Sequence, residues 1–126
     1  MQTRALVVDD NRDSADTFAL ALQVFGLDAR SLSDPCQALE VIAEFDPDLV
    51  VLDLGMPGLS GHDIARQIRA TPGRERMLVA VTGWGRPLDM RRSAEAGFDH
   101  HLVKPPDLAV LKRICAAIVP GAMGDS

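Results

Sequence analysis

Short apolar runs, each about one strand long and each set off by a segment of helical periodicity, constrain this chain more than any other feature. Ala5–Val8, Leu49–Leu52, Met77–Val81 and Leu102–Val103 are such runs, and three of the four are continuous instead of alternating. Strands buried on both faces of a parallel sheet read this way, whereas a half-exposed strand alternates. A fifth candidate, Asp28–Leu32, mixes Asp, Ala, Arg, Ser and Leu, and this weak hydrophobicity suits a sheet edge.

The intervening segments read as helices. Ser14–Phe25 puts Phe18, Leu22 and Phe25 on one face, with Gly26 as the stop signal. Asp34-Pro35 reads as an N-cap with proline at the first helical position, opening a helix to about Phe45 with Leu39, Ile42 and Ala43 inward. His62–Ala70 follows Gly61 and ends before the turn Thr71-Pro72-Gly73, and Pro87–Ala96 ends at Gly97. Asp107–Val119 carries Leu108, Leu111, Ile114, Cys115 and Ile118 at helical spacing. Five strands alternating with five helices imply an α/β fold, an open parallel sheet with helices on both faces and right-handed crossovers. With 126 residues and no internal linker or repeat, one domain over 1–119 with a frayed tail at 120–126 is expected.

Composition narrows the function. The net charge is −5, and the basic residues fall in small groups at Arg66–Arg69, Arg74–Arg76 and Arg91–Arg92, each read as a solvated helix or loop face. Phosphate backbones are held by clustered Lys and Arg, so direct nucleic-acid binding is not expected. No apolar run approaches the ~20 residues of a membrane span, and no signal pattern opens the chain, so a cytoplasmic protein without membrane contact is expected. Cys36 and Cys115 lack metal-type spacing and read as reduced, half-buried small hydrophobes.

Chemistry-bearing residues stand where the strands should end. Asp9-Asp10 follows the first strand, Asp53 closes the third, Thr82 the fourth and Lys104 the fifth. Ligands of open α/β sheets bind outside the carboxyl ends of the strands. Carboxylates crowded there repel, by about 4 kcal/mol for two unit charges ~4 Å apart at an effective dielectric near 20. A hard cation such as Mg²⁺ offsets this best, taking one or two carboxylates together with water and phosphate oxygens. A carboxylate nucleophile, a metal, a lysine and a hydroxyl together suit phosphoryl transfer. Singly, each residue has a plainer reading: Asp9-Asp10 and Asp53 as turn residues, Thr82 as a strand-end hydroxyl bonded to its own backbone, and Lys104-Pro105 as a dipeptide of little meaning by itself.

The chain resembles the receiver domain of two-component response regulators over about Thr3 to Val119. The resemblance rests on Val8-Asp9-Asp10-Asn11, on Pro47 to Pro57 followed by Gly61, on Val81-Thr82-Gly83, on Ala96-Gly97-Phe98-Asp99 and on Leu102-Val103-Lys104-Pro105. It implies a flavodoxin-like, doubly wound sheet of order 2-1-3-4-5. It also implies that Asp53 is the phosphoacceptor, attacking a phosphohistidine on a histidine kinase or histidine phosphotransfer protein. Asp10 matches the direct Mg²⁺ ligand, Asp9 the acid acting through a metal-bound water, and Gly55 the ligand that uses its backbone carbonyl. Thr82 and Lys104 match the pair that grips the phosphoryl oxygens, and the Lys104-Pro105 bond is usually cis in the family. Phosphorylation would draw Thr82 inward and reshape the face formed by the fourth helix, fifth strand and fifth helix, a shift between two packings. Slow self-dephosphorylation is the only turnover expected, so the chain reads as a switch and not an enzyme, acting as a monomer or weak dimer.

Three positions depart from the family pattern or tune it. The side chain three residues before the lysine is usually Tyr or Phe, but here it is His101, next to His100. A histidine titrating near 6.5 would make the switch pH-sensitive, or it would simply pack like the ring it replaces or stay exposed. Gly55 and Trp84 flank the site, where the family tunes loss of the phosphoryl group, and the Trp84 indole is expected to cover the aspartyl phosphate in part. His62 and His100 read as surface residues.

Other functions fit less well. An aspartyl phosphatase usually carries a second acid two residues after its nucleophile, where this chain has Gly55. A flavin-binding relative of the fold would want a phosphate loop after the first strand, where Asp9-Asp10 would repel phosphate. A non-phosphorylated receiver-like interaction module usually loses one of the acids, the threonine or the lysine, and this chain keeps them all. No output domain follows Val119 in the sequence, so action by protein contact or phosphorelay is expected, from a single-domain regulator or from the receiver of a hybrid histidine kinase. Thr82-Gly83-Trp84-Gly85 and the Gly97–His101 stretch are more similar to the hybrid type.

Overall fold

The computed structural model describes residues 2–55, 61–71, 73, 75–83, 91, 94–104 and 106–118. Five parallel strands, β1 (Arg4–Val8), β2 (Asp28–Leu32), β3 (Leu49–Asp53), β4 (Met77–Thr82) and β5 (His100–Val103), form one sheet in the order β2-β1-β3-β4-β5. Helices α1 (Arg12–Val24), α2 (Ala38–Phe45) and α3 (Gly61–Ala70) and a C-terminal helix (Leu108–Ile118) connect and cover it. Residues 94–96 are helical up to Gly97; most of the expected fourth helix lies outside the described residues, as do Met56, Pro57, Trp84, Pro105 and 119–126.

Alternation along each strand divides the core in two. Ala5, Val7, Leu49, Val51, Val79 and Val81 face α1 and the C-terminal helix, while Leu6, Val8, Val50, Leu52, Leu78 and Ala80 face α2 and α3. Both sets are buried, which is why these strands read as continuous apolar runs. Each fully buried leucine or valine contributes about 1.5–3 kcal/mol relative to exposure. β2 takes the edge, as its mixed composition implies. β5 begins two residues before its apolar pair, because the other edge tolerates His100 and His101.

Helix faces were legible only in part. Asp34 does cap, its Oδ1 accepting from the Cys36 N–H at 3.0 Å, but Pro35–Gln37 forms a 3-10 turn before α2 begins. Ala38, Ile42 and Phe45 are buried, Leu39 is half-buried, and Ala43, expected inward, is exposed. On α1 the buried face is Ala15, Ala19 and Leu22, with Phe18 and Phe25 half-buried at its rim. Leu108, in the first turn of its helix, is 58% exposed, and burial there starts at Leu111. Cys36 is exposed, not half-buried, whereas Cys115 is fully buried, and that burial pushes its thiol up to about 11.

Two of the arginines expected on solvated faces are structural. Arg76 Nη1 donates to the Pro47 carbonyl at 2.6 Å and to Asp46 Oδ1 at 2.8 Å, joining the entry of β4 to that of β3. Arg69, in the last turn of α3, donates through Nε and Nη2 to the Gly97 carbonyl at 3.0 and 2.7 Å. Arg66 behaves as expected, making an exposed pair with Asp63. Among the described residues no helix is long and apolar enough to cross a membrane.

Gly97 has φ of +103°, and a Cβ there would lie 2.7 Å from Arg69 Cγ. Gly97→Ala combines left-handed strain with that clash and is expected to cost about 1–3 kcal/mol in urea unfolding.

Candidate functional site

The carboxyl edge of the sheet gathers the expected residues. Asp9 leaves β1 and turns at once: its N–H donates to the Leu32 carbonyl at 3.1 Å, and its Oδ1 accepts from the Asn11 N–H at 2.9 Å. Asn11 in turn caps α1, its Oδ1 accepting from the Ser14 N–H at 3.0 Å. The helix start and the orientation of Asp9 are therefore set by one short segment. Asp53 is the last residue of β3, with Oδ1 accepting from the Gly55 N–H at 2.9 Å. Thr82 ends β4, and its carbonyl accepts from the Lys104 N–H at 2.8 Å, which carries the ladder one residue past β5.

Lys104 joins these parts. Its Nζ donates to Asp9 Oδ2 and to Asp53 Oδ2, each at 3.2 Å. Asp9, Asp53 and Thr82 are buried, and Asp10 is exposed. Oxygen atoms of Asp9, Asp10 and Asp53 lie within 4.8 Å of one another, a set of hard donors suited to a small divalent cation. Burial raises the Asp9 carboxyl above its ordinary 3.8, and the Asp53 charge adds to this against the opposing Asn11 N–H and Lys104. For Lys104 burial works to lower the ammonium, but Asp53 and Asp9 outweigh it and hold it above 10.5.

A groove of about 640 Å³ opens from Asp9, Asp53 and Lys104 between α1 and the C-terminal helix, walled by Phe18, Ala21 and Leu111.

The chain matches the family described as response regulator receiver domain over residues 5–116. It belongs to that family. It is 37% identical, over 105 residues, to the DNA-binding response regulator MtrA of Mycolicibacterium paratuberculosis, an alignment covering 83% of this chain and 46% of MtrA. The receiver thus spans less than half the length of that relative. The structure of a CheY-like response regulator receiver domain from Methylobacillus flagellatus superposes with a TM-score of 0.81 at 32% identity, covering 94% of this chain and 99% of the other. A signal receiver domain from Colwellia psychrerythraea 34H shares the fold with a TM-score of 0.86 at 24% identity, covering 92% and 97%. The five-stranded order of the receiver is the one the resemblance implied.

Of the receiver's expected site residues, the structure brings together Asp9, Asp10, Asp53, Thr82 and Lys104. Gly55 meets Asp53 through its N–H, and Gly83 is exposed with open space around it. His101 is half-buried in β5, paired with Ala80, and His100 is exposed. His62 is not a simple surface residue, since its half-buried ring meets Phe98 edge-on at 6.2 Å. Trp84 and Pro105 lie outside the described residues, so the indole shield and the peptide geometry have no structural counterpart here. Asn11 went unread as an organiser, although its spacing to Ser14 is an N-cap signal. Gly61, expected to precede the helix, is its first residue; a Cβ there would lie 2.8 Å from the Asp53 carbonyl oxygen, so α3 starts directly against the backbone of Asp53.

Two outcomes follow from this geometry. A carboxyl raised in the folded state binds its proton more tightly there, so its contribution is favourable at low pH and is lost as pH rises through the folded value. Ionised Asp9 is therefore a net burden on the metal-free fold at neutral pH. Asp9→Asn is expected to raise the thermal midpoint at pH 7 in EDTA by a few degrees, for about 1 kcal/mol. The gain should shrink as pH falls toward 3.8 and should come with weaker stabilisation by divalent cations. Gly→Ala inside a helix ordinarily stabilises by roughly 0.5–1 kcal/mol. Gly61→Ala is instead expected to destabilise by about 1–3 kcal/mol through overpacking, whereas Gly55→Ala, 3.5 Å from Asp53 Oδ1, should be tolerated.

Proposed function

We propose that this receiver takes a phosphoryl group onto Asp53 from a phosphohistidine on a histidine kinase or histidine phosphotransfer protein. The observation that carries this reading is the Lys104 ammonium bonded at once to Asp53 and Asp9, with Asp10 beside them. An Asp53 carboxylate oxygen attacks phosphorus as the P–N bond to the donor histidine breaks, and the imidazole leaves with the electron pair. Lys104 follows the transferred charge, exchanging a carboxylate partner for a phosphoryl oxygen, and the Thr82 hydroxyl donates to another. Asp9, Asp10, Asp53 and the Gly55 carbonyl would hold Mg²⁺, which supplies charge neutralisation between carboxylates and phosphoryl oxygens. The groove beside α1 gives a donor side chain access to Asp53.

The receiver so described is a switch. It has no acid two residues after Asp53 to drive turnover, and slow self-dephosphorylation is its only reaction with water. The phosphoryl group, through Thr82 and His101, changes the surface formed around β5 and the C-terminal helix. In this reading the domain covers residues 1–119, works in the cytoplasm as a monomer or weak dimer, and makes no direct nucleic-acid contact itself.

Incubation with acetyl phosphate and Mg²⁺, followed by intact-mass measurement, tests this directly. A gain of one phosphoryl group is expected, lost on EDTA addition beforehand and absent in Asp53→Asn. A mass that does not change with either acetyl phosphate or a phosphorylated histidine donor would favour a non-phosphorylated interaction module.

A further inference from the structure

β5 is an edge strand of four residues, among the described residues paired with β4 alone, and Lys104 follows it directly. So short a strand has little of its own to fix its register, and a slip of one residue would exchange the side chains presented to the site. Two anchors hold it. At the exit, the Lys104 N–H donates to the Thr82 carbonyl at 2.8 Å. At the entry, the Asp99 N–H donates to the Leu78 carbonyl and the Leu78 N–H donates to Asp99 Oδ2, both at 2.8 Å.

The entry anchor is itself clamped from α3. Arg69 Nη2 donates to Asp99 Oδ2 at 3.0 Å, and Nη1 donates to the Arg76 carbonyl at 2.8 Å, while Nε and Nη2 hold the Gly97 carbonyl. One guanidinium thus ties α3 to the residue before β4 and to the turn before β5. A planar fork with fixed donor directions suits this task, and a lysine would not.

We propose that Arg69 and Asp99 are positioning residues for Lys104: by clamping the entry of β5 they set the register and depth at which the Lys104 ammonium meets Asp53 and Asp9. Their bonds lie at the opposite end of the strand from the acidic site, and they act through the four residues between. For its rate measurement this inference rests on the receiver reading above, and it has a second readout that does not.

Lys104 and Lys112 are the only lysines of the chain, so limited acetylation with acetic anhydride and peptide mass analysis reports each amine separately. In Arg69→Ala the labelling of Lys104 relative to Lys112 is expected to rise several-fold without any phosphodonor. Phosphoryl uptake from acetyl phosphate should slow about tenfold, within the cost of a misplacement near 1 Å. In a Lys104→Ala background, Arg69→Ala should slow uptake no further, since both act through one group. Asp99→Asn keeps an acceptor for the Leu78 N–H but gives up the ion pair. It should shift both readouts the same way by a smaller factor, and it carries the test if Arg69→Ala does not fold. An unchanged labelling ratio in a folded variant overturns the proposal, as does a slowing that persists in Lys104→Ala. A wild-type chain that takes up no phosphoryl group would count against the receiver reading, while the labelling ratio would still decide the positioning of Lys104.

Discussion

The bond from Lys104 to both Asp9 and Asp53 is what the upper edge of this sheet depends on. Two buried carboxylates at adjacent strand ends repel each other, and burial already disfavours the charge on Asp9. The ammonium itself resists burial, yet the pull of the two acids prevails and keeps it charged. A lysine can hold this place only because β5 delivers it there, and β5 can do so only because β4 carries it at both ends. The electrostatics of the site is thus a consequence of the register of an edge strand.

This places unusual weight on the opposite edge of the molecule. Arg69 and Arg76 satisfy backbone carbonyls of Gly97, Arg76 and Pro47, groups that a loop at a sheet entry would otherwise leave to water. Helix α3 connects the two edges, starting against the Asp53 carbonyl at Gly61 and ending in the Arg69 clamp. The hydrophobic layers between them fix the distance, because a close-packed interior transmits displacement and does not absorb it.

What was legible in the sequence divides along the same line. The strands announced themselves because each apolar run is buried on both faces, and the runs stop where Asp9, Asp53, Thr82 and Lys104 begin. A site built from consecutive strand ends of one sheet is written in order along the chain. The inward face of α2 was legible at Leu39 and Ile42 but not at Ala38 and Phe45, which are buried while the expected Ala43 is exposed. Nor was the role of Arg69, whose partners Gly97 and Asp99 lie 28 and 30 positions away and whose neighbouring arginine Arg66 is merely a surface pair. Composition sees only that a residue is basic; whether its guanidinium meets water or a carbonyl is decided by the packing of α3.

A site held in this way is poised, not relaxed. Asp9 is oriented by the Asn11 N–H and neutralised in part by Lys104, but its ionised form still stands at a disadvantage. Any ligand that brings positive charge to the three oxygens removes part of that burden and so binds the folded chain in preference to the unfolded one. A phosphoryl group on Asp53, as proposed, would act with the opposite sign, adding negative charge for Lys104 and Thr82 to meet. On the proposed function the two ligands would be coupled through the same ammonium, since Lys104 bonds the carboxylates that would hold the cation and would also meet the phosphoryl oxygens. Coupling of this kind is reciprocal, so on the proposed function a phosphoryl group on Asp53 would change the affinity of the site for the cation by the factor by which the cation favours the phosphorylated form.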